Sequence, residues 1–176
     1  LAERGGLHLV DVIKTPIHGN SYVFVLSKHN KRPKHIKNLI AMEADLLCAE
    51  TYTKWASRAV KVKNEFKSRI ELFREKGYKI VGYGAAAKGM TLLNFADVKL
   101  DFIVDDNPLK QGTYSPGQDI AIVGSVALSD LEPDEKVLFV PLAWNVFAEI
   151  KNKILTARVN KEDRFLRYFP EVTIEH

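Results

Sequence analysis

Residues 79–94 read KIVGYGAAAKGMTLLN, and this stretch decides the fold. It begins as a short strand, Lys79-Ile80-Val81, turns over Gly82-Tyr83-Gly84-Ala85-Ala86-Ala87, and continues as a helix from Lys88 to Phe95. Gly82, Gly84 and Ala87 match the G-x-G-x-x-G/A fingerprint of a dinucleotide-binding turn, with Ala at the last position. In that reading the first glycine lets the strand turn without a Cβ clash, and the second lets a ligand approach the backbone. Ala87 keeps the helix close to the sheet. The helix start then offers free N–H groups and a partial positive charge to a phosphate, and Lys88 adds a full charge in the first turn. A glycine turn between strand and helix that binds nothing is the competing reading. The stretch is not a Walker loop, because no Gly immediately precedes Lys88 and Gly89 stands where Ser or Thr is needed. The next apolar segment, Leu100 to Val104, ends in Asp105-Asp106-Asn107. An acidic residue about 20 positions beyond the glycines is where a ribose hydroxyl is held.

Composition limits the rest. A chain of 176 residues is one domain, or one domain and a fragment, and can bury about 70% of its unfolded surface. Hydrophobic and charged contents of 46% and 27% are ordinary for a globular protein. A formal charge of +4 suits an anionic ligand such as a nucleotide without pointing to nucleic acid. Cys48 is the sole cysteine, so no internal disulfide forms and a reducing compartment fits. There is no apolar run of about 18 residues for a membrane span and no secretory signal, which makes the cytoplasm the default location.

Working outward, Leu7 to Lys14 and Tyr22 to Leu26 read as two strands around the turn Pro16-Ile17-His18-Gly19-Asn20-Ser21. Residues 1–30 are expected to be the tail of an upstream domain. Residues 31–37 are read as a basic linker, because no aromatic interleaves with the lysines and arginine for base stacking. Asn38 to Lys76 reads as helix with a break near Glu50 to Thr53. Trp55, Ala59, Val62, Phe66, Ile70 and Phe73 form one core-facing stripe, and Gly77 is the C-terminal cap. Beyond the organising stretch, Pro108 to Asp119 is a long surface loop and Ile120 to Val123 a buried strand. Ser125 caps a short helix to Leu131, Lys136 to Leu142 is another strand, and Asn145 caps a helix from Val146 to about Ala157. Arg164 to Ile174 is an edge strand interrupted by Pro170. The alternation of strand and helix from Lys79 onward predicts an α/β fold, a mostly parallel sheet with helices on both faces. Ligands in such sheets sit beyond the carboxyl ends of the strands, which places Gly84, Asp105, Asp106, Trp144 and Asn145 around one crevice.

Three groups of residues carry a resemblance. They are Gly82 to Asn94; Val104 to Pro108 with Lys110-Gln111-Gly112 and Tyr114-Ser115-Pro116-Gly117; and Leu142-Ala143-Trp144-Asn145. Together they resemble the C-terminal domain of the sugar C-methyltransferases. Pro16 to Ser21 resembles the segment that ends the methyltransferase domain of that family, with Asn20 where Gly is usual. The resemblance implies a Rossmann-like three-layer αβα domain over residues 38–176, preceded by a helical segment and a β-hairpin remnant of an upstream methyltransferase domain. It implies an enzyme that uses SAM to methylate a carbon of a nucleotide-linked keto-sugar. A zinc-binding cysteine-rich segment and the glycine motif of a SAM domain, both typical of the family, have no counterpart here. The expectation is therefore a nucleotide-sugar-binding part, with dTDP as the carrier and the SAM site outside this chain.

The site expected from these readings comprises Gly82, Tyr83, Gly84, Ala85, Ala87, Lys88, Asp105, Asp106, Asn107, Lys110, Tyr114, Trp144 and Asn145. Tyr114 and Trp144 can stack on a base or sugar, and Lys110 either meets phosphate or is solvated. His18 is the candidate acid or base, against a turn histidine with no catalytic role. The five histidines and Cys48 show no metal-ligand spacing. Two other functions stay open. One is an NAD-binding module of an oxidoreductase or regulatory protein, with NADP disfavoured by Asp105-Asp106 and no second domain for a hydride acceptor. The other is a non-catalytic assembly domain.

Overall fold

The computed structural model describes residues 1–17, 21–29 and 34–176. His18 and Asn20 lie outside the described residues. The chain divides into two compact units, Leu1–Ser57 and Arg58–His176.

In the first unit, β1 (His8–Thr15) and β2 (Ser21–Ser27) pair antiparallel, with Lys14 opposite Tyr22 and Val12 opposite Phe24, as the alternating residues predict. The helix α1 (Lys34–Met42) starts inside the stretch read as basic linker. Its Ile36 is buried, and His35 Nε2 lies 2.9 Å from Asp11 Oδ1 of β1. The helical break falls before Glu50, not after it. A 3-10 turn at Ala44–Leu47 ends at Cys48, whose backbone is extended, and α2 (Ala49–Glu75) runs unbroken from there. Glu50 is helical and pairs with Lys54 one turn on, at 2.7 Å.

The predicted apolar stripe on α2 is covered along only part of its length. Phe66, Ile70 and Phe73 are buried and Val62 is half-buried, but Trp55 is 71% exposed and Ala59 is exposed. The reason is length. A 27-residue helix extends for roughly 40 Å, whereas a five-residue strand spans about 17 Å. Gly77 ends α2 as predicted. Its φ of 78° is left-handed, its N–H donates to the Arg74 carbonyl, and the Tyr78 N–H reaches back to Phe73.

The second unit is built on a six-stranded sheet. Its strands are β3 (Lys79–Tyr83), β4 (Phe102–Val104), β5 (Ile122–Val123), β6 (Val137–Pro141), β7 (Arg164–Arg167) and β8 (Thr173–Glu175), ordered β5-β4-β3-β6-β7-β8. All neighbours are parallel except β7 and β8. Side chains alternate between two apolar layers, as strand geometry requires. Ile80, Ile103, Leu138 and Val140 join Phe66, Ile70 and Phe73 of α2 and Met90 and Leu93 of α3 (Ala87–Ala96) on one face. Val81, Tyr83, Phe139 and Phe165 join Leu128 and the Phe147, Ile150 and Ile154 stripe of α4 (Phe147–Ala157) on the other. The fold is therefore α/β with helices on both faces, as the alternation predicts. The order reverses at β3, where β4 and β5 lie to one side and β6 onward to the other.

Several local expectations change. Arg164 to Ile174 is not one edge strand. Pro170 cannot donate to a ladder, and the chain reverses around it, leaving β7 interior and β8 at the edge. Residues 108–119 are more ordered than a surface loop, because Gly112, Thr113 and Ser115 exchange backbone hydrogen bonds with Ile122 and Ile120. Gly124 rather than Ser125 holds the N-cap position before a 3-10 turn. Asn145 caps nothing. It is exposed within a 3-10 turn at Trp144–Val146, and Val146 precedes α4.

The three positions of the glycine fingerprint also exchange roles. Gly82 lies within β3, where a Cβ would sit 2.9 Å from Leu100 Cδ1 and 3.0 Å from Ile103 Cγ1. The tight turn belongs to Gly84, whose φ is 82°. Ala87 is exposed, so it does not set the helix against the sheet. Gly89 does: a Cβ there would fall 2.5 Å from Leu142 Cβ. Gly89→Ala is expected to destabilise the domain by about 1–3 kcal/mol through overpacking, although alanine is the better helix former by about 1 kcal/mol. A denaturant midpoint equal to the parent's would show that α3 can move off the sheet without loss.

Candidate functional site

The carboxyl ends of β3, β4 and β6 meet at the reversal in strand order, and the chemistry there is decided by what Asp105 holds. The Asp105 side chain is 8% exposed. Its Oδ2 accepts the Ala85 N–H at 2.6 Å and Lys110 Nζ at 3.0 Å, and its Oδ1 accepts the Asn107 N–H at 2.8 Å. Burial alone would raise this carboxyl, but the Asn107 N–H, Lys110 and the Ala85 N–H outweigh it and hold the pKa below the usual 3.8. Lys110 also donates to the Ala85 carbonyl at 3.0 Å, and Gln111 Nε2 donates to the Asp105 carbonyl at 2.9 Å. Lys110 is thus not simply solvated. It closes a staple between the residue-85 turn and the end of β4. Asn107 is a turn former, with its Oδ1 accepting the Leu109 N–H.

This staple changes where a ligand could find donors. The Gly84 N–H goes to the Val104 carbonyl, the Ala85 N–H to Asp105, and the Ala86 N–H to the Gly84 carbonyl. The glycine turn is therefore internally paired. The first rung of α3 is the Met90 N–H to the Ala86 carbonyl at 3.0 Å, so the amides of Ala87, Lys88 and Gly89 precede the ladder. Among the described residues no side chain caps them. Lys88 belongs to the same turn, with its Nζ 5.1 Å from the centroid of the half-buried Trp144 ring. Trp144 in turn lies 4.4 Å, centroid to centroid, from Phe169. A Cβ at Gly84 would meet the Ala143 methyl at 3.6 Å, so the turn and the end of β6 are adjacent.

Asp106 points elsewhere. Its side chain is 49% exposed, accepts the Tyr83 hydroxyl at 2.9 Å and pairs with Lys153 of α4 at 2.7 Å. Burial raises the Tyr83 pKa, and the Asp106 carboxylate adds to it. Tyr83 itself is buried and its ring is core; its hydroxyl meets Asp106, and Lys153 Nζ stands 5.9 Å from the ring centroid. Tyr114 is 67% exposed and bridges to Ala121 in the segment that leads into β5, on the far side of β4 from the glycine turn.

The structure thus brings Gly84, Ala85, Lys88, Asp105, Lys110 and Trp144 together. It gives Asp106 and Tyr83 to a second cluster with Lys153 and leaves Tyr114 apart. Lys153, Phe169 and Gly89 escape the sequence reading. Gly89 carried a signal, a helix-weakening residue straight after Lys88. Lys153 and Phe169 carried none, since only the tertiary fold brings α4 and the β7–β8 connection to this edge. No helix among the described residues is long and apolar enough to cross a membrane.

Residues 16–170 match the family described as the C-methyltransferase C-terminal domain, and the chain belongs to that family. It is similar to the C-methyltransferase NovU of Streptomyces niveus, with 32% identity over 159 residues. That match covers 85% of this chain and 37% of the relative, so the chain spans little more than a third of that protein's length.

Proposed function

We propose that this chain is the substrate-holding C-terminal part of a SAM-dependent C-methyltransferase, a Rossmann-like domain that binds a nucleotide-linked keto-sugar, with dTDP as the carrier. The observation that carries the reading is the open first turn of α3. The amides of Ala87, Lys88 and Gly89, with the Lys88 ammonium, stand at the reversal of strand order beside the end of β6. Donors and charge at such a place suit a diphosphate. The family supports a role in methyl transfer, and the name of the Streptomyces relative supports a carbon acceptor. The SAM site belongs to the part of such an enzyme that the matched segment does not cover, a methyltransferase domain that acts as this chain's partner in the cytoplasm. His18 is this chain's candidate base, and Asp106, with exposed carboxylate surface, is its candidate acceptor for a sugar hydroxyl.

An NAD module is the weaker reading. Of the two acidic residues that could hold the ribose, Asp105 has its oxygens engaged by Ala85, Asn107 and Lys110, and Asp106 pairs with Tyr83 and Lys153. Calorimetry with dTDP, NAD and SAM, each titrated separately into the chain, tests the proposal. Heat from dTDP and none from SAM is the expected result. Tight SAM binding, or NAD binding in preference to dTDP, would overturn it.

A further inference from the structure

Phe169 lies in the connection between β7 and β8 and is 46% exposed. Its ring is tilted 45° against Trp144 at 4.4 Å. Trp144 packs against the core beneath it, whereas Phe169 belongs to neither apolar layer. The Lys88 ammonium stands over the same indole. Three separate connections, after β3, β6 and β7, therefore bring an exposed ring, a backing ring and a cation to one place. Lys88 is the second residue of α3, so its side chain links the aromatic pair to the uncapped first turn. A planar aromatic group with an anionic tail matches that order of features. A purely apolar partner would leave the ammonium and the amides unanswered, and a bare phosphate would leave the rings in water.

Building on the nucleotide reading above, we propose that Phe169, backed by Trp144, is the seat of the nucleobase, with Lys88 and the first turn of α3 taking the phosphates. Stacking a base on a protein ring excludes water from both faces and tolerates any base. The seat therefore sets affinity for a nucleotide over a sugar phosphate, and base identity is read elsewhere. Lys88 leaves the indole when phosphate arrives, because a paired ammonium is stabilised more by an anion than by a ring at an exposed edge.

The test is calorimetry on the full chain with dTDP, thymidine and inorganic pyrophosphate. Phe169→Ala should weaken dTDP by roughly tenfold or more and leave pyrophosphate unchanged. Phe169→Leu keeps an apolar cover over Trp144 and should lose nearly as much, while Phe169→Tyr should restore binding. Lys88→Ala should weaken both pyrophosphate and dTDP, with a smaller salt dependence. Either Phe169→Ala or Phe169→Leu, folded by circular dichroism and binding dTDP as the parent does, overturns the seat and leaves the nucleotide reading standing. A parent chain that binds no nucleotide overturns both.

Discussion

Replacing Arg158 by methionine is expected to cost about 3–5 kcal/mol of stability, the range for breaking a buried ion pair from one side, and to lower the unfolding midpoint by roughly 10 °C. Arg158 follows α4, and its side chain is 6% exposed. Its Nε donates to Asp163 Oδ2 at 2.9 Å, its Nη1 to the carbonyls of Leu131 and Glu132, and its Nη2 to that of Glu135. One guanidinium thus gathers the segment that leads into β6. Asp163 Oδ1 accepts the Val137 N–H at 3.1 Å, which fixes the first residue of that strand. Methionine fills similar volume but leaves the Leu131 carbonyl and Asp163 Oδ2 without a donor, while the Glu132 and Glu135 carbonyls keep only the Glu135 N–H and Asn160 Nδ2. The loss should depend on pH. Burial raises the Asp163 carboxyl above 3.8 even with Arg158 beside it. Without the arginine the folded-state value rises further, so the penalty is small while the group is protonated and grows as pH rises through that value. The variant should lie nearer the parent at about pH 4 than at pH 8. A pH-independent deficit in chemical denaturation would refute this account of Asp163. Adding Asp163→Asn should recover part of the loss.

The second large effect is at Asp105. Asp105→Asn keeps the size of the side chain but can supply only one acceptor oxygen. It presents an amide to Lys110 and leaves one N–H, of Ala85 or Asn107, unpaired. A loss of about 2–3 kcal/mol is expected at neutral pH. Because the folded-state pKa of Asp105 lies below the unfolded value, its contribution is complete above that unfolded value and fades as pH falls through the folded one. The parent should therefore show an acid limb below about pH 4 that is shallower in the asparagine variant. If both unfold along the same acid curve, Asp105 does not hold the turn through its charge. The variant should also bind dTDP less well, because the staple sets where α3 begins.

These two residues show how far the sequence could be read. The strand–turn–helix of residues 79–96 and the α/β alternation follow from local pattern, and both strand and helix stand within two residues of the expected bounds. The roles of the glycines do not follow, because the fingerprint gives spacing and not side-chain neighbours. Whether Gly82 or Gly89 sets the close approach depends on Leu100 and Leu142, which are remote in sequence. Asp105 was legible as an acidic strand end. That its partners are the chain's own Ala85 and Lys110 was not, since Lys110 sits in a segment that reads as a loop. The uncovered half of α2 escaped for the opposite reason. Periodicity marks Trp55 and Ala59 as apolar-faced but cannot say how far a sheet extends beneath them.

The hairpin of the first unit has a colloidal consequence. Strand β2 reads SYVFVLS, with no charge, no proline and no glycine, and Tyr22 to Leu26 are each between 37% and 62% exposed. Consecutive residues of a strand face opposite ways, so both faces of β2 are apolar, and beyond β1 no further strand pairs with it among the described residues. Uncharged, β-branched and aromatic segments of this length are what self-associating strands are made of. Any surface that covers this ribbon therefore protects the chain from its own copies, and the concentration at which the chain stays dispersed becomes a direct measure of how well β2 is shielded.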